Sequence, residues 1–150
     1  MRFTTLRDYQ TFILINQELI NNVIDVPVVI YKLQQSVTKT NSYGEAPKKT
    51  WYTGVIIPLL YMRDVQSPLE DMKTINAEQS SEFYFLRYEC AQRNIYPEQG
   101  DIINFDGKYY EIDNINEIQL WAGREEYRWQ VMCNSHLTRN SNLQLEPPQI

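Results

Sequence analysis

One stretch limits the possible folds of this 150-residue chain more than any other: Tyr96-Pro97-Glu98-Gln99-Gly100-Asp101-Ile102-Ile103-Asn104-Phe105-Asp106-Gly107-Lys108-Tyr109-Tyr110-Glu111-Ile112-Asp113. Asp106-Gly107 is a two-residue loop suited to a type I′ turn, in which both central residues take positive φ. That turn sets a register with Phe105 opposite Lys108, Ile103 opposite Tyr110 and Asp101 opposite Ile112. Alternation along the strands then places Ile103, Phe105, Tyr110 and Ile112 on a core face, and Ile102, Asn104, Tyr109 and Glu111 on a half-exposed one. Ahead of the hairpin, Pro97 presets φ and Gly100 permits a positive φ, which makes a tight corner.

The rest of the chain reads as a single domain around this hairpin. Residues 5–22 predict a helix, opened by a Thr5/Asp8 capping box, with Phe12, Ile15, Leu19 and Val23 as its core stripe and Leu6, Tyr9 and Ile13 widening it. Asn21-Asn22 marks its exit. The β core spans about 26–133. Residues 26–33 read as a strand with Pro27 at its start, and 51–65 as a strand pair or one bent strand near a sheet edge, because Pro58 removes a ladder donor. Residues 82–90 read as a strand with Tyr84, Leu86, Tyr88 and Cys90 on one face. Residues 125–133 show the cleanest alternation, Tyr127, Trp129, Val131 and Cys133 against Glu126, Arg128 and Gln130. Between these runs lie polar connectors: a long, locally basic loop at 34–50, a second at 66–81, and a loop at Leu120–Arg124 presenting Trp121 to solvent. The tail 134–150 reads as extended. The expected fold is mainly β, a small barrel or sandwich with an N-terminal helix and long loop and tail arms.

Little here points to catalysis. His136 is the sole histidine, and a Cys133/His136 nucleophile–base pair has no evident orienting partner. No glycine-rich phosphate loop or metal-spaced Cys or His pair occurs, and Asp101, Asp106, Glu111 and Asp113 match no calcium loop. Cys90 and Cys133 read as two reduced core thiols in strands. The net charge of −5 disfavours general nucleic-acid binding. No apolar run is long enough to span a membrane and no signal-peptide pattern opens the chain, so an intracellular or assembled soluble protein with no membrane partner is expected. Tyr and Trp are plentiful, which suits half-buried sheet faces and interfaces.

Two pieces carry a resemblance. Asn41-Ser42-Tyr43-Gly44-Glu45, followed by Lys49 and an aromatic-rich strand, and Asn94-Ile95-Tyr96-Pro97-Glu98-Gln99-Gly100-Asp101-Ile102-Ile103 with Tyr109-Tyr110-Glu111-Ile112-Asp113-Asn114, resemble in order and separation the neck (head-completion, head-to-tail connector) proteins of large contractile-tailed bacteriophages. The likeness spans roughly Tyr31 to Asn134. It implies a virion structural protein, not an enzyme, with no cofactor and no metal. Such a protein is assembled in the host cytoplasm and located in the neck, where it forms a ring with itself, on the order of six or twelve copies. The ring would contact the portal or an adaptor ring on one side and tail proteins on the other, and help retain packaged double-stranded DNA passing through its lumen without sequence-specific contact. Between Asp64 and Glu126 the chain carries nine net negative charges, a surface along which a duplex would slide. Tyr43, Gly44, Glu45, Lys48 and Lys49 would dock on a neighbouring subunit, with Tyr43 as anchor and the lysines meeting carboxylates there; the arm would be mobile in the free subunit and ordered in the ring. Two other readings stand beside this one: a tail-terminator ring, and a monomeric β-barrel module binding peptide or nucleic acid through Trp121 and the aromatic faces.

Overall fold

A computed structural model describes residues 5–34, 49–65, 80–117, 120–138 and Leu145. The chain is mainly β, with an N-terminal helix. Helix α1 (Leu6–Glu18) passes into a π-helical segment (Leu19–Ile24) and then into β1 (Pro27–Tyr31). Strands β2 (Val55–Pro58), β3 (Tyr61–Val65) and β4 (Ser80–Leu86) follow, then a short helix α2 (Arg87–Gln92), β5 (Ile102–Phe105), β6 (Lys108–Asn116) and β7 (Gln130–Leu137). All seven strands form one antiparallel sheet in the order β2-β1-β5-β6-β7-β4-β3.

That order puts β2 and β3 at opposite edges, yet only Leu59 and Leu60 separate them in the chain. In a flat sheet the two edges would stand about 29 Å apart, at roughly 4.8 Å per strand. Three trans peptide units from Pro58 to Tyr61 reach at most about 11 Å. The sheet is therefore rolled, and residues 55–65 are one bent strand serving both edges. Its hydrogen bonds show the changeover: Leu59 donates to Val26 beside β1, and Leu60 to Tyr84 on β4. No ladder joins β2 to β3 among the described residues, so the sheet is not closed into a barrel. Inside the roll, Val28, Ile30, Ile57, Phe83, Phe85, Ile103, Tyr110, Ile112, Val131 and Cys133 form one core with Leu59, Cys90 and Ile95. Pro58, which ends β2 on an edge strand, leaves no interior ladder bond unmade.

The β5–β6 hairpin matches its sequence expectation pair for pair, including Phe105 opposite Lys108 and Ile103 opposite Tyr110. Asp106 and Gly107 take φ of 50° and 75°, and Gly100 takes 91°. One residue departs: Ile102, expected on a half-exposed face, is fully buried. It pairs between Tyr31 and Glu111 on the outer side of the sheet. The β1–β2 hairpin continues past its strands through the Leu33–Trp51 bridge, and Lys49 reaches Glu111 at 2.5 Å, so Ile102 lies under that crossing. Gly54 permits the approach, because a Cβ there would stand 2.5 Å from Val29 Cγ1 and 2.7 Å from the Tyr31 ring.

Three elements correct the sequence reading. Tyr88 and Cys90 lie in α2, not in a strand: β4 ends at Leu86, and Glu89 and Arg93 pair across one helical turn. Residues 125–133 are not one strand. Glu125–Tyr127 form a 3-10 turn and β7 runs from Gln130 to Leu137, so Asn134–Leu137 belong to the sheet, not to a loose tail. The inward alternation of Val131 and Cys133 continues into Ser135, a polar residue buried because its hydroxyl donates to the Ser81 carbonyl at 2.9 Å. The third correction is the inner side of α1: Ile13 and Ile20 are buried with Leu86, while Ile15, Leu19 and Val23 are exposed.

Candidate interaction surfaces

The N-terminal helix begins with the expected box. Thr5 caps the Asp8 backbone N–H, and the Asp8 carboxylate accepts from the Thr5 backbone at 2.8 Å. Those bonds to Thr5 hold the Asp8 carboxyl below its ordinary value. An aromatic cluster fastens the inner side. Tyr9 stacks on Tyr127 at 4.5 Å and donates its hydroxyl to the Arg128 carbonyl at 3.1 Å. Phe12 meets Trp129 edge-on at 5.2 Å, and Trp121 lies 5.8 Å from Tyr9 and 5.9 Å from Phe12. Trp121 is half-buried there, packed on α1 and on Tyr127 rather than fully presented to solvent. Burial raises the Tyr9 phenol above its usual range.

Farther along, the helix widens into the π-helical segment, where Asp25 donates to Ile20 and takes a φ of 43°. Asn21 on that segment donates to the buried Glu89 carboxylate at 3.1 Å, and Arg93 pairs with the same group. A buried carboxylate persists only when paired and hydrogen-bonded, and Glu89 is both. The widened turn advances each side chain by less than the α-helical 100°. Val23 thereby leaves the inner side, and with Leu14, Ile15 and Leu19 it forms an exposed apolar surface along the helix. The bent strand and Tyr52 just ahead of it carry a second such surface: Tyr52, Ile56 and Tyr61 are exposed, Tyr61 stacked on Tyr84 at 4.0 Å. Burial, with a hydrogen bond to Glu82, raises the Tyr84 phenol strongly.

The arm at 34–50 is described only at its roots. Tyr43, Gly44, Glu45 and Lys48 lie outside the described residues. Both roots are held. Asp101, buried at 1 % exposure, accepts from the Leu33 N–H at 2.9 Å, the Glu98 N–H at 2.8 Å and the Lys32 ammonium at 2.8 Å. Lys32 also donates to the Tyr96 carbonyl at 2.6 Å. At the other root, Lys49 pairs with Glu111 of its own chain. The corner residues Pro97 and Gly100 thus position a carboxylate that fastens the arm. Sequence reading missed Asp101 and Lys32 in this role. The signal was an aspartate between a turn glycine and an apolar strand, where a carboxylate readily accepts backbone N–H groups.

The carboxylates weighed as cation ligands are dispersed: Asp101 to Lys32, Glu111 to Lys49, Asp113 to His136 at 2.7 Å, and Asp106 to the hairpin turn. A bulge in the β6–β7 pairing between Ile112 and Asn114 leaves Asp113 unpaired in the ladder, where it meets His136. Among the described residues no group of three or more His, Cys, Asp or Glu side chains is arranged to hold a metal ion. Cys133 faces the core and His136, three residues on along β7, faces outward, so the two do not form a catalytic pair. Burial pushes the Cys90 thiol up to about 12 and raises Cys133 as well, which leaves both unreactive as nucleophiles. Among the described residues no helix is long and apolar enough to cross a membrane. No protein-family model matches this chain, and no curated protein matches it.

Proposed function

We propose that this chain is a virion structural protein: a subunit of a ring in the phage neck that joins portal and head to tail and helps retain packaged DNA. The observation that carries the assembly half of the proposal is the N-terminal helix, fastened along one side and apolar along the other. The largest apolar patch on a soluble protein is often a functional contact site. The neck half rests on the resemblance of the 41–49 and 94–114 stretches; the second supplies Asp101 and Glu111, which bond Leu33 and Lys49 at the two described ends of the 34–50 arm. A connector subunit needs arms set on a rigid base, and the clamped roots provide that base. The role is one of assembly rather than catalysis, with no cofactor.

The test is compositional and then spatial. Mass spectrometry of purified particles should find the chain in a fixed, multiple copy number per virion. Imaging should place it between portal and tail. Its absence from particles would overturn the proposal, as would a position elsewhere in the virion.

A further inference from the structure

Resting on that reading, we infer that the ring contact is heterologous, made by the exposed stripe of α1 and the π-helical segment on one copy against the outer side of the bent strand on the next. Ile15, Leu19 and Val23 follow one another at four-residue spacing with Leu14 beside them, and the four are between 40 and 72 % exposed. Ile56 and Tyr61 on the bent strand, and Tyr52 just ahead of it, are between 41 and 53 % exposed. A head-to-tail ring requires two unlike surfaces on every subunit, and these two patches differ as required: one is a convex aliphatic ridge, the other an aromatic sheet margin.

The areas support a second copy of this chain as the occupant. At those exposures the helix stripe offers about 400 Å² and the strand margin about 300 Å², together about 700 Å², near the roughly 900 Å² of non-polar area in a standard interface of about 1,600 Å². The helix stripe paired with its own copy about a two-fold axis would bury about 800 Å², but that contact closes on itself and cannot continue into a ring. The helix patch is not needed for the fold, since the inner side of α1 is secured by Tyr9, Phe12, Ile13 and Ile20.

The experiment uses the full chain and two double variants, Ile15→Glu with Val23→Glu on the helix and Ile56→Glu with Tyr61→Ser on the strand margin. Native mass spectrometry and sedimentation velocity read the assembly state, with thermal unfolding confirming that each variant is folded. Wild type should form a closed oligomer and each variant alone should stay monomeric. Mixed together, the two variants should give a one-to-one heterodimer and nothing larger, because only one contact of the ring remains possible. Oligomers from either variant alone would overturn this contact and leave the neck ring intact as a reading. A wild type that stays monomeric at every concentration would also overturn the contact, while the neck reading would still be judged on the particles. A mixture that forms no heterodimer would exclude the helix-to-strand pairing.

Discussion

The β5–β6 hairpin and the N-terminal helix treat their apolar side chains in opposite ways. In the hairpin Ile102, Ile103, Tyr110 and Ile112 are all buried, on both faces of the sheet. Along the helix Ile13 and Ile20 are buried, while Leu6, Leu14, Ile15, Leu19 and Val23 are not. The hairpin also carries Asp101, whose bonds to Lys32 and to the Leu33 N–H tie it to β1 and to the arm root. The helix is held by Ile13 and Ile20 against Leu86, by a few ring contacts and by the Asn21–Glu89 bond to α2. The hairpin holds the fold; the helix is a surface element with a free side. Substitutions should therefore lower stability in the hairpin and change association along the helix.

The largest expected effect is Asp101→Ala. It strands two backbone donors and leaves Lys32 without its buried partner. Removing one member of a fully buried pair costs about 3–5 kcal/mol, and because Lys32 keeps partial access to water the loss should lie near the lower end, about 3 kcal/mol. Denaturant unfolding measures it. A loss under about 1 kcal/mol would show that the corner does not organise the fold. Gly107→Val comes next. With φ at 75°, a β-branched residue there should cost about 1–2 kcal/mol, since nothing within 4 Å adds a clash to the backbone strain. Unchanged thermal stability would contradict the turn geometry.

These two regions were also unequally legible. The hairpin register follows from Asp106-Gly107 acting on its immediate neighbours, and the capping box from residues three apart, so both were readable locally. Which side of α1 faces inward was not. Apolar residues stand on more than one side of the helix, and the choice is made by Trp121, Tyr127, Trp129, Leu60 and Leu86, all distant in sequence. The π-helical turn then moves Val23 outward by a displacement that no 3.6-residue period contains. Trp121 was misjudged for the same reason, since its partner is the helix. Leu86-Arg87-Tyr88-Glu89-Cys90 alternates like a strand, yet the buried Glu89, paired with Arg93 and Asn21, suits a helix. Strand β7 was cut short because Ser135 looks like loop and is buried by one hydrogen bond to another strand. Of the proposed docking residues, Lys49 is visible with its carboxylate, Glu111, in the same chain.

A smaller effect concerns the helix start. Thr5→Ala removes the cap of an exposed helix end and should cost about 1 kcal/mol. The same box carries a pH dependence. Asp8 has a lowered pKa when folded, so its contribution is complete above the ordinary carboxyl range near pH 4 and is lost as pH falls through the lowered folded value. Acid titration of wild type should show this loss, and Asp8→Asn should flatten that part of the curve. An identical curve for the variant would mean that the box contributes nothing in solution.

The smallest expected effect on stability is at Val23, and it separates the two regions most sharply. Val23 is 72 % exposed, the most open of the large apolar side chains on the described surface. Its removal opens no cavity, and exposed substitutions away from special features stay within about 0.5 kcal/mol. Val23→Ser changes the local helix propensity little and deletes apolar surface that is mostly open in the free chain. Thermal unfolding of dilute, monomeric protein should therefore be unchanged. At concentrations where wild type associates, the same substitution should lower the midpoint relative to wild type, because binding to the folded state alone adds stability by mass action. A destabilised dilute monomer would mean that Val23 packs within its own chain, and the helix would then resemble the hairpin after all. Equal midpoints at both concentrations would remove Val23 from any interface.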